Sequence, residues 1–158
     1  MASSINLSTL IYQQAVSQGV PPAIALAVAQ QESGISQWTQ SGDLVTGTSG
    51  EVGVFQIMPA TAAGLGVDPT DVTQNIAGGV SLLGQLYQRY GNWAQALSAY
   101  NSGSPNGSPS YANSVLALAG GDPDATDDSG DDSASSVSGT LIVAGILAAV
   151  GIAWWALE

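Results

Sequence analysis

The chain of 158 residues has no cysteine, no histidine and no lysine, and Arg89 is its one basic residue. Each absence removes a class of chemistry. Without Cys there is no disulfide framework and no thiolate metal site. Without His, serine triads and most zinc sites are excluded. No metal and no cofactor is expected, and acid–base chemistry falls to carboxylates and Tyr. A single Arg cannot displace the counterions of a nucleic acid, so no nucleic-acid partner is expected. Nor can so acidic a chain cling by charge to anionic lipid headgroups. Charged residues make up only 8%, against about 25% in an average domain. The opening MASSINLS lacks the basic start of a secretory leader.

What is present divides the chain into three parts. Residues 1–119 read as one mainly α-helical globular domain. Leu7, Leu10, Ile11 and Val16 give an amphipathic helix with Ser8 as its candidate cap and Gly19 as its stop. Pro21 and Pro22 open a second helix whose body, AIALAVA over 23–29, is apolar all round and therefore buried, and which ends in Gln30-Gln31-Glu32-Ser33-Gly34. Residues 34–53 read as a loop with a short hairpin near 43–48. Pro59 starts a short helix over 59–66. A longer helix at 72–90 carries the stripe Ile76, Val80, Leu83, Tyr87 and Tyr90, with Gly78, Gly79 and Gly84 expected to admit a neighbouring backbone. Trp93, Leu97 and Tyr100 mark a fifth helix. Tyr111, Val115 and Leu118 mark a last one.

Residues 120–136 hold six Asp and almost no apolar side chain, the composition of a disordered linker; the spacing of their acids does not match a calcium-binding EF-hand loop. Residues 137–158 contain an uncharged run of 18 residues, 140–157, close to the length needed to span a bilayer, with Trp154 and Trp155 near its end. This predicts a single membrane helix and a membrane-tethered protein. Gly145 and Ala149 form a small-xxx-small pair suited to helix–helix pairing.

Glu32 follows an unbroken apolar stretch with no basic neighbour in sequence. Burial disfavours the charged form of such a carboxyl, which suits a general acid. Read alone, a helix-terminal Glu is more commonly an exposed surface residue. The blocks around it change that reading. QQESG at 30–34, GVFQIMPATA at 53–62 and ALSAYNSG at 96–103 resemble, in order and spacing, the signature blocks of the soluble lytic transglycosylase domain, and the resemblance covers about residues 8–118. It implies a lysozyme-like helical fold with a glycan groove and cleavage of the peptidoglycan strand between N-acetylmuramic acid and N-acetylglucosamine to leave a 1,6-anhydro end. It gives Glu32 the part of catalytic acid and base. Ser33, Gln56, Met58, Tyr100 and Asn101 fall at substrate-binding positions, with the Tyr100 hydroxyl expected to orient or tune Glu32. Phe55, in the same block as Gln56 and Met58, is expected in the core. Two departures stand out: the stretch between Glu32 and Gly53 is longer than usual, and Ser102 replaces a common Ala.

Asp43 and Glu51 are the candidate second carboxylates that a hydrolase resembling goose-type lysozyme would need. A non-catalytic glycan-binding membrane protein is the other alternative. A wall-cutting domain with a separate membrane helix is similar in architecture to the transglycosylases of membrane-containing bacteriophages, implying a place in the virion membrane; a bacterial envelope enzyme is the alternative setting.

Overall fold

The computed structural model describes residues 6–125. Six helices follow in order: α1 Leu7–Gln18, α2 Pro22–Ser33, α3 Pro59–Leu65, α4 Val72–Tyr90, α5 Trp93–Ser102 and α6 Pro109–Ala119. Among the described residues there is no extended strand, only isolated antiparallel bridges.

The helix starts follow capping chemistry. Asn6 caps α1, its side chain accepting from the Thr9 amide at 3.2 Å. The expected cap, Ser8, lies instead inside the first turn. Asp71 and Asn92 cap α4 and α5 through Gln74 and Gln95, both at 2.9 Å. Helices α2, α3 and α6 begin with Pro in the first turn, where its missing N–H costs nothing. Each helix stops at a glycine in the left-handed region.

The helices form a closed circuit: α1 packs on α2 and α4, α4 on α5, α5 on α6, and α6 back on α2, with α3 against α4. The apolar body of α2 is buried as its composition demands, with Ile24, Ala25, Val28 and Ala29 fully covered. Ile76, Val80 and Leu83 of the α4 stripe are also fully buried. Two stripe assignments fail. Val16 is 58% exposed, because Ala15 is the residue that faces inward from the end of α1, and Leu118 is 54% exposed at the outer side of α6.

The segment between α2 and α3 is built differently. Its bridges join Trp38 to Leu44, Thr46 to Val52 and Val52 to Ile57, so the pairing spreads over residues 38–57 rather than forming one hairpin at 43–48. Two buried amide side chains hold it to the helices. Gln37 accepts from the Val54 amide (2.9 Å) and donates to the Pro69 and Thr70 carbonyls (3.1 and 3.2 Å). Asn75 of α4 accepts from the Phe55 amide (2.9 Å) and donates to the Val52 and Pro69 carbonyls (2.8 and 2.9 Å). Together they supply backbone groups that have no helix or sheet partner, which burial would otherwise penalise.

Phe55 enters the core, fully buried, in the notch left by Gly79, where a Cβ would stand 2.2 Å from the ring. Gly78 likewise admits Val67. The glycines of α4 therefore admit side chains, not the backbone that their spacing suggested.

The helical body also runs past the expected domain boundary at 119. Asp124 accepts from the Tyr87 hydroxyl (2.8 Å) and from the Trp93 amide at the start of α5 (2.9 Å), beside the stacked rings of Tyr87 and Trp93 at 4.5 Å. A carboxylate at a helix N-terminus meets free N–H groups, and the helix dipole favours it. Residues 122–125 thus belong with the helices. The rest of the predicted linker and the predicted membrane helix lie outside the described residues; no described helix is long and apolar enough to cross a membrane.

Candidate active site

Glu32 occupies the last turn of α2, one residue before its end. It is there because the buried face of α2 runs out at Ala29, and Gly34, at φ 64°, turns the chain away immediately afterwards. The carboxyl is half-buried and its pKa is raised. Burial is the main cause; the Tyr111 hydroxyl, which donates a hydrogen bond to Glu32 Oε1, pulls the other way, and the charge of Glu51 adds to the rise. The pKa is thus moved toward the range in which a carboxylic acid still holds its proton near neutrality.

Tyr111 projects from α6 and is itself pushed upward in pKa by burial and by the Glu32 charge, so it remains a donor. Tyr100, on α5, is the tyrosine expected to orient or tune Glu32. Its hydroxyl instead donates to the Phe55 carbonyl at 2.7 Å, although the Glu32 charge is near enough to raise its pKa further above the level set by burial. Tyr100 fixes the wall opposite, and the tyrosine bonded to the acid is one the sequence reading placed only on a helix stripe. The available signal was the residue type: a hydroxyl on the inward face of a helix needs a partner, and Phe would have served packing alone.

Ser33 is adjacent to Glu32, but its hydroxyl is engaged within the protein. It donates to the Val54 carbonyl (2.8 Å) and the Ala29 carbonyl (3.2 Å) and accepts from the Ser36 amide (3.0 Å). It therefore joins the end of α2 to the 52–57 turn. Gln56 sits in that turn at φ 45°, a left-handed conformation costly for a residue with a Cβ and met chiefly at functional sites. Its side-chain nitrogen donates to the Gly53 carbonyl (2.8 Å) and the Val45 carbonyl (3.3 Å). Met58, 40% exposed, caps the N-terminal end of α3 just beyond the turn, and Asn101 is exposed in the last turn of α5.

Of the two other candidate carboxylates, Asp43 is exposed and bonded within its own loop, accepting from Ser41 Oγ at 2.8 Å. Glu51 is half-buried, accepts from the Ser49 amide at 3.0 Å and acts electrostatically on Glu32. Separately, a cavity of about 260 Å³ opens between α5 and α6, lined by Gln95, Ser98, Asn106 and Asn113 among others; its lining includes none of the residues singled out from sequence.

Known proteins resemble this chain in sequence and in fold. Residues 9–112 match the family model for the transglycosylase SLT domain. A transglycosylase of Enterobacteria phage PRD1 is 43% identical over 83 residues, covering 52% of this chain and 29% of the phage protein. Among solved structures, an inactive mutant of the lytic transglycosylase Slt from Pseudomonas aeruginosa superposes with a TM-score of 0.58 at 20% identity, over 70% of this chain and 23% of that one. The 70-kDa soluble lytic transglycosylase SLT70 from Escherichia coli gives a TM-score of 0.51 at 28% identity, over 71% and 18%. The match thus spans under a third of each of these larger proteins, and the shared part is the mainly helical, lysozyme-like domain.

Proposed function

Since the chain belongs to the transglycosylase SLT domain family, we propose that it is a peptidoglycan lytic transglycosylase in which Glu32 serves as the single acid and base. The observation that carries this reading is the state of Glu32: a half-buried carboxyl with a raised pKa, oriented by Tyr111, at the end of an apolar helix. Its substrate is the glycan strand, cut between N-acetylmuramic acid and N-acetylglucosamine.

Glu32, protonated, gives its proton to the bridging oxygen as that bond breaks. The sugar acquires oxocarbenium character, which its own N-acetyl oxygen stabilises. Glu32, now a carboxylate, removes the proton from the C6 hydroxyl, and O6 closes onto the anomeric carbon. The proton is returned to Glu32, no water is consumed, and the product ends in a 1,6-anhydro ring. Tyr111 suits both halves, because its hydrogen bond orients the carboxyl in the acid form and steadies it as an anion. Gln56, Met58 and Asn101 line the glycan path in this reading, while Ser33 and Tyr100 hold its walls through Val54 and Phe55.

The uncharged run 140–157 supports a membrane tether, and the phage relative supports a phage setting, with the enzyme opening the wall from a virion membrane. The test is digestion of purified peptidoglycan by the full chain beside Glu32→Gln, followed by mass spectrometry of the fragments. Anhydro ends lost in the variant, with a rate at least about 100-fold lower, are the expected outcome. Reducing ends would instead indicate a hydrolase. In that case Glu51, whose charge reaches Glu32, is the second carboxylate, ahead of Asp43. No cleavage by either protein would leave a glycan-binding module.

A further inference from the structure

Glu51 stands in the stretch that is longer than usual for the resemblance, and a single acid and base mechanism gives it no part. Its surroundings are nevertheless built. The Thr46–Val52 bridge and the hydrogen bond from the Gly47 amide to the Glu51 carbonyl (2.8 Å) close a tight turn over 47–50. The Ser49 amide then donates to the Glu51 carboxylate at 3.0 Å and fixes its direction. The carboxylate lies directly over the Cα of Gly47: a Cβ there would be 2.2 Å from Glu51 Oε2 and 2.9 Å from Gln56 Oε1. The missing side chain at Gly47 thus lets the Glu51 carboxylate and the Gln56 carboxamide share one small space. Gln56 in turn belongs to the turn that Ser33 ties to the end of α2.

We infer that Glu51, held over Gly47 beside Gln56, is a positioning residue of the groove, acting through its charge on the acid Glu32 and on the positive charge that develops on the sugar. This rests on the proposed reaction for its second half only. Two like charges disfavour each other, so a carboxylate at 51 favours the protonated form of Glu32 and adds to the larger effect of burial. Once that proton is given to the leaving oxygen, the same carboxylate favours a cationic sugar in a site from which water is partly excluded. The other titratable groups coupled to Glu32 are Tyr111 from α6 and Tyr100 from α5, both driven upward in pKa and hence neutral. Glu51 is the other carboxyl that acts electrostatically on Glu32.

The chain contains just three glutamates, Glu32, Glu51 and Glu158, so carboxyl resonances of the full chain with labelled Glu can be followed one by one. In Glu51→Gln the Glu32 midpoint should fall, as expected on removing a neighbouring like charge. Glu51→Asp should keep most of the wild-type midpoint. Gly47→Ala displaces only the ends of two side chains and should lower the midpoint with the fold intact. On peptidoglycan, the alkaline limb of the rate profile should move to lower pH in Glu51→Gln, and the maximal rate should fall about tenfold as the sugar cation loses its counter-charge. An unchanged Glu32 midpoint in both Glu51→Gln and Gly47→Ala overturns the inference, even if the wild-type chain cuts peptidoglycan. A shifted midpoint in a chain that cuts nothing would retain the electrostatic half and reject the reaction.

Discussion

The helical circuit and the wall over residues 34–58 achieve order by opposite means. The circuit buries Ile11, Ile24, Val28, Val80, Leu83 and Leu97 completely, and the backbone polar groups within its helices pair along each helix. The wall has three isolated bridges, and its anchors are two buried amides, Gln37 and Asn75. Apolar packing is tolerant: side chains of similar size replace one another at modest cost. An amide that must meet several backbone groups at hydrogen-bond distance has no such substitutes. The difference places Glu32 on the tolerant part and the turn that carries Gln56 on the exacting part, with Ser33 and Tyr100 binding one to the other.

Where the two parts meet, Gly79→Ala should do most harm. Its Cβ would stand 2.2 Å from the Phe55 ring, whose backbone is fixed by both Asn75 and Tyr100, so neither side can yield. A loss of about 3 kcal/mol, at the upper end for overpacking, is expected by denaturant unfolding. Gly84→Ala, on the same helix, meets only Val20 at 3.4 Å and should be neutral or gain up to about 1 kcal/mol from helix propensity. Equal effects at both glycines would break the distinction between circuit and wall.

Asn75→Ala should cost about 1–3 kcal/mol by leaving the Phe55 amide buried without a partner. Hydrogen exchange sharpens this. Amides of residues 52–57 should lose protection while those of α2 keep theirs, and uniform loss would show that the wall and the circuit unfold together.

Tyr111→Phe leaves both parts in place and should change stability by less than about 1 kcal/mol. It removes the hydrogen bond that lowers the Glu32 pKa, so that pKa rises further. The alkaline limb of the rate profile should move to higher pH, the reverse of Glu51→Gln, while the maximal rate drops on the order of 100-fold through misorientation of the acid. A limb that stays in place would mean that Tyr111 only fills space.

The same division explains what could be read from sequence. The six helices among the described residues were legible, because capping residues, prolines in first turns and glycine stops act locally. Glu32 stood out only through the blocks around it, because a carboxyl at the end of a helix, read alone, is more commonly a surface residue. The latch was not. Nothing near Gln37 in the chain tells that its amide will span the carbonyls of Pro69 and Thr70 and the Val54 amide. Asn75, a polar residue next to Ile76 on a helix, reads as a surface position until its partners are known. Tyr111 and Glu32 are 79 residues apart, a pairing that no periodicity encodes. The blocks around Gln56 and Tyr100 singled out these two residues, yet the contacts that position them are tertiary.

Asp124 has a mechanical consequence. Its carboxylate is fastened to Tyr87 and to the first turn of α5, beyond the end of α6. A pull on the chain from the C-terminal side is therefore taken up first at the junction of α4 and α5, where two hydrogen bonds must shear before any load reaches α6. Tyr111 and the acid it orients lie behind that junction. The fastening acts as a strain relief, so α6 can be held from one end without being drawn out of register.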